Sequence, residues 1–170
     1  MAPRGEGSMV ESAMLESDDG LIWRTRALFQ KVDGDETAFQ FEAEGSVIAI
    51  GRRGRGNAQL LRSRRPYTQW QRQEVDRYIG GPLLARWGSY YVVGGRKTIG
   101  GKEPKTSLCW LVGEQLHEFA ELPSGGDNSY PGFVELSPTH GLVSWYSSHE
   151  RNANGDAMTA IYLADLEIVH

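Results

Sequence analysis

Arginine, carboxylate and phenol side chains stand beside several short apolar runs, where a fold could bring them together. Arg52 and Arg53 follow one such run, and Arg96 follows the next. Glu36 and Tyr130 open two others. A guanidinium group holds a planar carboxylate through paired, charge-assisted hydrogen bonds that lysine cannot copy. A phenol, with a pKa of about 10, becomes nucleophilic at neutral pH only when a neighbouring group takes its proton.

The apolar runs that flank these residues form a repeat. A glycine precedes a run at Gly45, Gly88 and Gly141, which are separated by 43 and 53 residues. Each unit also has an opening strand and a third strand, and the first two units close with a fourth. Blades of four antiparallel strands repeat at about 40–50 residues, whereas a β-sandwich need not repeat this order. The repeat predicts an all-β protein, a partial β-propeller of about three four-stranded blades.

The repeat also sets the predicted boundaries. Residues 1–16 are expected to be a flexible amino-terminal segment, and residues 17–170 a single partial propeller domain. Within that domain we expect a strand pair over 17–32 and blades over about 35–78, 79–123 and 124–170. Because the units are alike, corresponding strand ends should lie at the same end of the propeller.

A turn followed by a strand precedes the first unit. Residues 17–29 look like a compressed Asp-box, in which Ser and Asp side chains bond the turn backbone and an aromatic residue packs between strands. A degenerate copy keeps Ser63 and Trp70. We therefore expect Trp23 and Trp70 to be buried between strands.

Several segments resemble the carboxy-terminal half of sialidase-like (neuraminidase) six-bladed propellers, which carry BNR, or Asp-box, repeats. The matching segments are residues 35–37, 63–70, 80–82, 124–132 and 145–150. The resemblance runs over about 17–165 and is most specific over 123–150. It implies a carbohydrate-handling propeller.

The same resemblance implies roles for the candidate site residues. The family's later site residues run Glu, Arg, Arg, Tyr, and this sequence offers Glu36, Arg52 or Arg53, Arg96 and Tyr130 in that order. Tyr130 would be the nucleophile and Glu36 the carboxylate paired with it. The arginines would bind the carboxylate of the substrate. The sequence leaves open whether Arg52 or Arg53 takes the first position.

Two departures from the family pattern argue against a fully active enzyme. The family's first arginine and its acid/base Asp belong to amino-terminal blades that are missing here. Asp127 lies near Tyr130 and is a candidate for substrate binding rather than for the missing acid. We therefore expect a binder of a sugar or another anion, with little or no glycoside hydrolase activity. The alternative is a protein-interaction scaffold, or a propeller fragment that has lost sugar chemistry.

Three blades in an open arc would leave strand edges and sheet faces uncovered, and such surfaces aggregate. A second copy of the chain, related by a twofold rotation, would complete six blades, so a homodimer is expected. Strands around 22–29 of one copy would complete or abut the last blade of the other. The alternative is a gene fragment whose ring is never rebuilt.

Composition argues against membrane, secreted, metal-binding and nucleic-acid-binding proteins. The 170 residues are 39% hydrophobic and 24% charged, as in globular proteins, and no apolar stretch is long enough for a membrane helix. Residues 1–19 lack the apolar core of a secretory signal, so a cytoplasmic protein without membrane contact is expected. One cysteine and four histidines lack metal-ligand spacing, so we expect no metal or cofactor. Seven arginines occur from Arg52 to Arg72, but the net charge of −4 argues against nucleic-acid binding.

Overall fold

The computed structural model describes residues 10–98 and 102–169, and these residues form strands and turns with no helix. The strands are β1 (Ser12–Glu16), β2 (Arg24–Gln30), β3 (Gly34–Phe41), β4 (Ser46–Arg53), β5 (Gln59–Arg64), β6 (Trp70–Glu74), β7 (Gly80–Trp87), β8 (Tyr90–Lys97), β9 (Lys105–Val112), β10 (Gln115–Glu121), β11 (Asn128–Glu135), β12 (His140–Arg151) and β13 (Ala157–Glu167). No described segment is a helix that could span a membrane.

The strands form four antiparallel sheets, each connected in chain order. A strand pair (β1 and β2) comes first, followed by a first blade (β3–β6), a second blade (β7–β10) and a third blade (β11–β13). The predicted all-β, propeller-like class is confirmed. In the described residues the third blade has three strands rather than four, and β13 is its edge.

Each central strand serves two apolar cores because successive side chains of a strand point to opposite faces. In β4, Val47 and Ala49 face the strand pair, whereas Ile48 and Ile50 face the second blade. The three inter-sheet cores contain Phe29, Leu61 and Trp70; Leu60, Leu84, Val93 and Cys109; and Trp87, Val92, Leu108, Val143 and Trp145. The sheets therefore stack face to face in chain order.

The repeated glycines have two different structural reasons. Gly45 and Gly88 stand in hairpin turns with φ of 84° and 59°, a left-handed conformation that glycine adopts without strain. Gly141 lies in β12, where a Cβ would collide with the ring of Phe133. The third glycine of the sequence repeat is therefore a packing position rather than a turn.

The Asp-box turn forms its expected hydrogen bonds, but one of its aromatic residues is exposed. The Ser17 hydroxyl accepts the Gly20 amide at 2.8 Å, and Oδ1 of Asp19 accepts two further turn amides at 2.8 and 2.9 Å. The predicted burial of Trp70 is confirmed at 8% exposure, whereas the prediction for Trp23 is wrong, since it is 59% exposed. The strand pair packs against the first blade on one face only, and Trp23 is not part of that core.

The amino-terminal segment differs from the sequence expectation. Residues 1–9 lie outside the described residues, while Ser12–Glu16, which were expected to be flexible, form β1 and pair with Arg24–Gln30. Met14 packs into the core shared with the first blade. The side chain of Arg72 donates to the carbonyl oxygen of Phe29 at 2.7 Å, which ties β2 to β6. The ordered sheets therefore begin before residue 17.

Candidate functional site

The strand order brings the predicted site residues to one end of the arc. The first strands of the three blades are neighbours, β3 beside β7 and β7 beside β11. Since β4 and β8 run antiparallel to β3 and β7, they end where β3 and β7 begin. Gly34 pairs with Arg53, and Gly80 pairs with Arg96, at this end. We call it the mouth.

Glu36 is the centre of one group of contacts in the mouth. Its Oε1 accepts a short hydrogen bond from the hydroxyl of Tyr130. Its Oε2 accepts Nη1 of Arg52 at 3.1 Å and the backbone amide of Gly81 at 2.8 Å. Three donors from all three blades therefore converge on one carboxylate.

These contacts separate the proton affinities of Glu36 and Tyr130. Burial opposes ionisation of Glu36, but hydrogen bonds from Tyr130, Gly81 and Arg52 outweigh it and lower the pKa of the carboxyl below 4.5. The hydrogen bond to Glu36, together with burial, raises the pKa of Tyr130 to about 12. In the resting protein the phenol keeps its proton and Glu36 is the acceptor.

The two neighbouring arginines of β4 point in different directions. Arg52 contacts Glu36, and its Nε lies 3.1 Å from Oδ2 of Asp35. Arg53 instead pairs with Glu74 at 3.0 Å. Consecutive strand residues face opposite sides, so only one of the two arginines can join the mouth, and it is Arg52.

A second group of contacts surrounds Arg96. Its Nη1 lies 3.0 Å from Oδ1 of Asp127, which also accepts the hydroxyl of Tyr146 at 2.9 Å. The rings of Tyr146 and Tyr130 stack with centroids 6.0 Å apart. Burial opposes the charge of Arg96, but Tyr78, Tyr146 and Asp127 favour it and raise the pKa of the guanidinium. The Tyr130–Tyr146 stack links the two groups.

Tyr78, in the connection between β6 and β7, contacts both arginines. The guanidinium of Arg52 lies over its ring, 5.5 Å from the centroid. The hydroxyl of Tyr78 forms a hydrogen bond with Arg96 and helps to raise the pKa of its guanidinium. The sequence did not predict that Tyr78, Tyr146 and Asp35 belong to the site. They lie far apart in the chain, and no sequence spacing indicates that they meet.

Gly81 and Ser129 fix the backbone around Tyr130. A Cβ on Gly81 would lie 2.6 Å from Oγ of Ser129 and 3.0 Å from the amide nitrogen of Tyr130. The Ser129 hydroxyl accepts the amide of Arg96 at 3.0 Å and donates a short bond to the carbonyl of Gly80. Segment 80–82 belonged to the family resemblance, but its role as a contact between blades was not predicted.

Tyr130 has an uncommon backbone conformation. Its φ is 45°, a left-handed value that is costly for an aromatic residue. Such residues persist where surrounding contacts determine them, and they concentrate at functional sites. Here the contacts are the hydrogen bond to Glu36, the stack with Tyr146 and the neighbouring Ser129 clamp. Its ring is presented at the mouth with 56% of the residue exposed.

The mouth thus combines two guanidinium groups with three carboxylates and three phenols. Arg52 and Arg96 are each partly neutralised, so an anion entering the mouth would compete with Asp35, Glu36 and Asp127 for their donors. No group of three or more His, Cys, Asp or Glu residues that could hold a metal occurs in the described part of the chain.

Comparisons with known proteins bear on the fold. No family model matches the sequence, and no curated protein matches it significantly. Among solved structures, the chain is similar to a protein of unknown function from Dyadobacter fermentans, with a TM-score of 0.69 and 20% identity over 92% of this chain and 45% of that one. It is also similar to a GH43 endo-arabinanase from Bacillus licheniformis, with a TM-score of 0.52 and 13% identity over 92% of this chain and 65% of that one. The chain therefore spans less than two thirds of either neighbour, and what it shares with them is a propeller-like all-β fold.

Proposed function

We propose that this chain is a carbohydrate-binding propeller of the sialidase-like kind, whose mouth binds an anionic sugar with little or no hydrolysis. The contact of Tyr130 with Glu36, beside Arg52, supports this proposal most strongly. It joins a phenol of the third blade to a carboxylate and a guanidinium of the first blade, three groups that the family resemblance selected. The similarity to a glycosidase, the endo-arabinanase, supports the carbohydrate class more generally.

The arginines favour an anionic ligand over a neutral one. A carboxylate accepts two parallel hydrogen bonds from one guanidinium, and both Arg52 and Arg96 lie at the mouth. The exposed ring of Tyr130 offers a platform for the sugar between them. An arabinan segment is neutral and would leave both guanidinium groups without a new partner.

Weak hydrolysis follows from the groups that are present. A nucleophilic Tyr130 would have to transfer its proton to Glu36, whose pKa is lowered. Asp127 is occupied by Arg96 and Tyr146 and so is not free to approach a leaving group. Asp35, the remaining carboxylate of the described mouth, is paired with Arg52, so no free carboxyl group is left there for the general-acid role, which typically contributes about 10²–10⁴-fold in rate.

The binding proposal is tested by calorimetric titration with N-acetylneuraminic acid. Its neutral analogue N-acetylmannosamine and a neutral arabino-oligosaccharide are the comparison ligands. We expect binding of the acid only, weakened about 10- to 100-fold by Arg52→Gln or Arg96→Gln. Arg53→Gln is the matched control, because Arg53 neighbours Arg52 but pairs with Glu74.

Two results would overturn the proposal. One is the absence of binding of the acid at millimolar concentration, which would favour the scaffold or fragment alternative. The other is an equal loss with Arg53→Gln, which would show only a general charge effect. Hydrolysis of a sialoside that disappears with Tyr130→Phe would contradict the second half of the proposal, that the mouth binds without turnover.

A second copy of this chain is part of the proposal. At one end of the arc, Ile161 and Leu163 of the edge strand β13 are 84% and 65% exposed. At the other end, Leu15 and Trp23 of the strand pair are 50% and 59% exposed. Such apolar surfaces mark interfaces. One end of the first copy can cover the other end of the second, and the Dyadobacter neighbour, of which this chain matches 45%, is about the length of two copies.

A further inference from the structure

A cavity lies at the end of the arc opposite the mouth, in the cleft between the first and second blades. Its volume is about 980 Å³, which is within the range of ligand pockets. One wall consists of β5, its turn and the start of β6, and the other is formed by Arg86 and Tyr91. We call it the lower cleft.

The lower cleft contains three arginines of the cluster that have no role in the mouth or in holding the sheets together. Of the seven arginines in the cluster from Arg52 to Arg72, Arg52 serves the mouth and Arg53 pairs with Glu74. Arg72 donates to backbone carbonyls of β2. Three of the remaining four, Arg62, Arg64 and Arg65, line the lower cleft, and none of these three forms an ion pair with a carboxylate of the described residues.

Neither glutamate that lines the lower cleft forms an ion pair with any of these three arginines. Both oxygens of Glu42 are occupied, one by Arg86 at 2.6 Å and the other by the hydroxyl of Tyr91 at 2.7 Å. Glu44 accepts a short hydrogen bond from Ser46. Four arginines and two glutamates line the cleft, so it carries two net positive charges in a chain whose net charge is −4.

We propose that the lower cleft binds a phosphate or sulfate ester group of a small polar ligand. Such a group presents three terminal oxygens and can accept from more than one guanidinium, which suits Arg62, Arg64 and Arg65 better than a single carboxylate does. Thr68, Gln69 and Gln71 line the same wall and offer hydroxyl and amide groups to the polar remainder of the ligand. The lower cleft shares no residue with the mouth.

The test titrates the full chain with glucose 6-phosphate and glucose 6-sulfate, with glucose as the neutral ligand, and follows amide shifts by NMR. We expect binding of at least one ester, amide shifts confined to the two walls of the lower cleft, and no binding of glucose. Arg62→Gln and Arg64→Gln should each weaken binding about 10- to 100-fold. The matched control is Arg55→Gln, an exposed arginine of the same cluster outside the cleft.

The pH dependence distinguishes the two esters. A phosphate monoester gains charge as pH rises through about 6, so its affinity should increase between pH 5 and pH 7, whereas a sulfate ester should bind equally at both. Arg96→Gln should leave either titration unchanged, which separates this site from the mouth. No binding of either ester at 10 mM, equal loss with Arg55→Gln, or tighter and steeply salt-dependent binding of an RNA oligonucleotide would each overturn the proposal.

Discussion

The hydroxyl of Tyr130 donates a hydrogen bond to the carboxylate of Glu36, a residue 94 positions earlier in the chain. The two side chains belong to the first and third blades, and the Gly81 amide from the second blade binds the same carboxylate. The contact therefore reports whether all three blades are in place.

Glu36 should make stability depend on pH in the acid range. Its folded pKa lies below the ordinary value of 4.5, so its ionised form stabilises the fold above that value, and this contribution is lost as pH falls toward the folded pKa. The difference in free energy of unfolding between wild type and Glu36→Gln should therefore be largest above about pH 5 and should shrink at lower pH. Urea unfolding at pH 7 and pH 3 measures it. The exposed Glu114→Gln serves as control, and a pH-independent difference for Glu36→Gln would contradict the prediction.

Trp70 and Trp23 should differ sharply as core residues. Trp70→Ala removes a buried ring that packs with Phe29 and Phe39, and we expect a loss of about 3–5 kcal/mol in the free energy of unfolding. Trp23→Ala removes an exposed ring and should cost below about 1 kcal/mol in the monomer. Chemical denaturation of both variants gives the comparison. Equal costs would show that the inter-sheet core is wrongly placed.

Gly81 should tolerate a methyl group less well than a turn glycine of the same conformation. Gly81 and Gly88 have φ of 55° and 59°, so alanine adds a similar backbone strain at both. Only at Gly81 does the new Cβ meet Ser129 and the Tyr130 amide, since nothing lies within 4 Å at Gly88. We expect Gly81→Ala to cost about 1–3 kcal/mol more than Gly88→Ala and to shift the Tyr130 amide resonance. Similar costs and unchanged Tyr130 signals would argue against the clamp.

The exposed β13 face should control the oligomeric state. Sedimentation equilibrium should give twice the chain mass for wild type, and Ile161→Lys or Leu163→Lys should give the monomer, because a charge in an apolar interface is costly. Val112→Lys also changes an exposed apolar residue, at the end of β9, and should remain dimeric. A wild-type monomer at 100 μM would disprove the dimer.

Blade order could be read from the sequence because strand alternation and turn glycines are local signals. The neighbours Val47 and Ile48 already show that β4 is apolar on both faces, as a central strand between two sheets must be. The burial of Trp23 was wrongly predicted because its motif specifies only a turn. Burial would require a further sheet packed against the outer face of the strand pair. Asp35 and Tyr78 belong to the mouth because of tertiary contacts with Arg52, which no local sequence pattern predicts.

The choice between Arg52 and Arg53 also could not be made from the sequence, because the two residues are adjacent in one strand. A strand reverses its facing at every step, and a bulge lies between Gly34 and Thr37 on the paired strand. Two sequence positions are therefore chemically equivalent until the register of β3 against β4 is known. The order of residues in the family predicted that an arginine would occupy this position. The strand register determines that it is Arg52.

The alternation of core residues in β4 and β8 has a thermodynamic consequence. Each sheet is stabilised through its contacts with the adjacent sheets, as in a one-dimensional array, so within a single chain the end sheets have one such interface and the inner blades have two. Local opening should then begin at the ends, as in nearest-neighbour melting. Detachment of the third blade alone would remove Tyr130 and Asp127 while leaving Glu36 bound to Arg52. If the mouth binds a ligand as proposed, ligand binding and docking of the last sheet are linked equilibria, in which each favours the other.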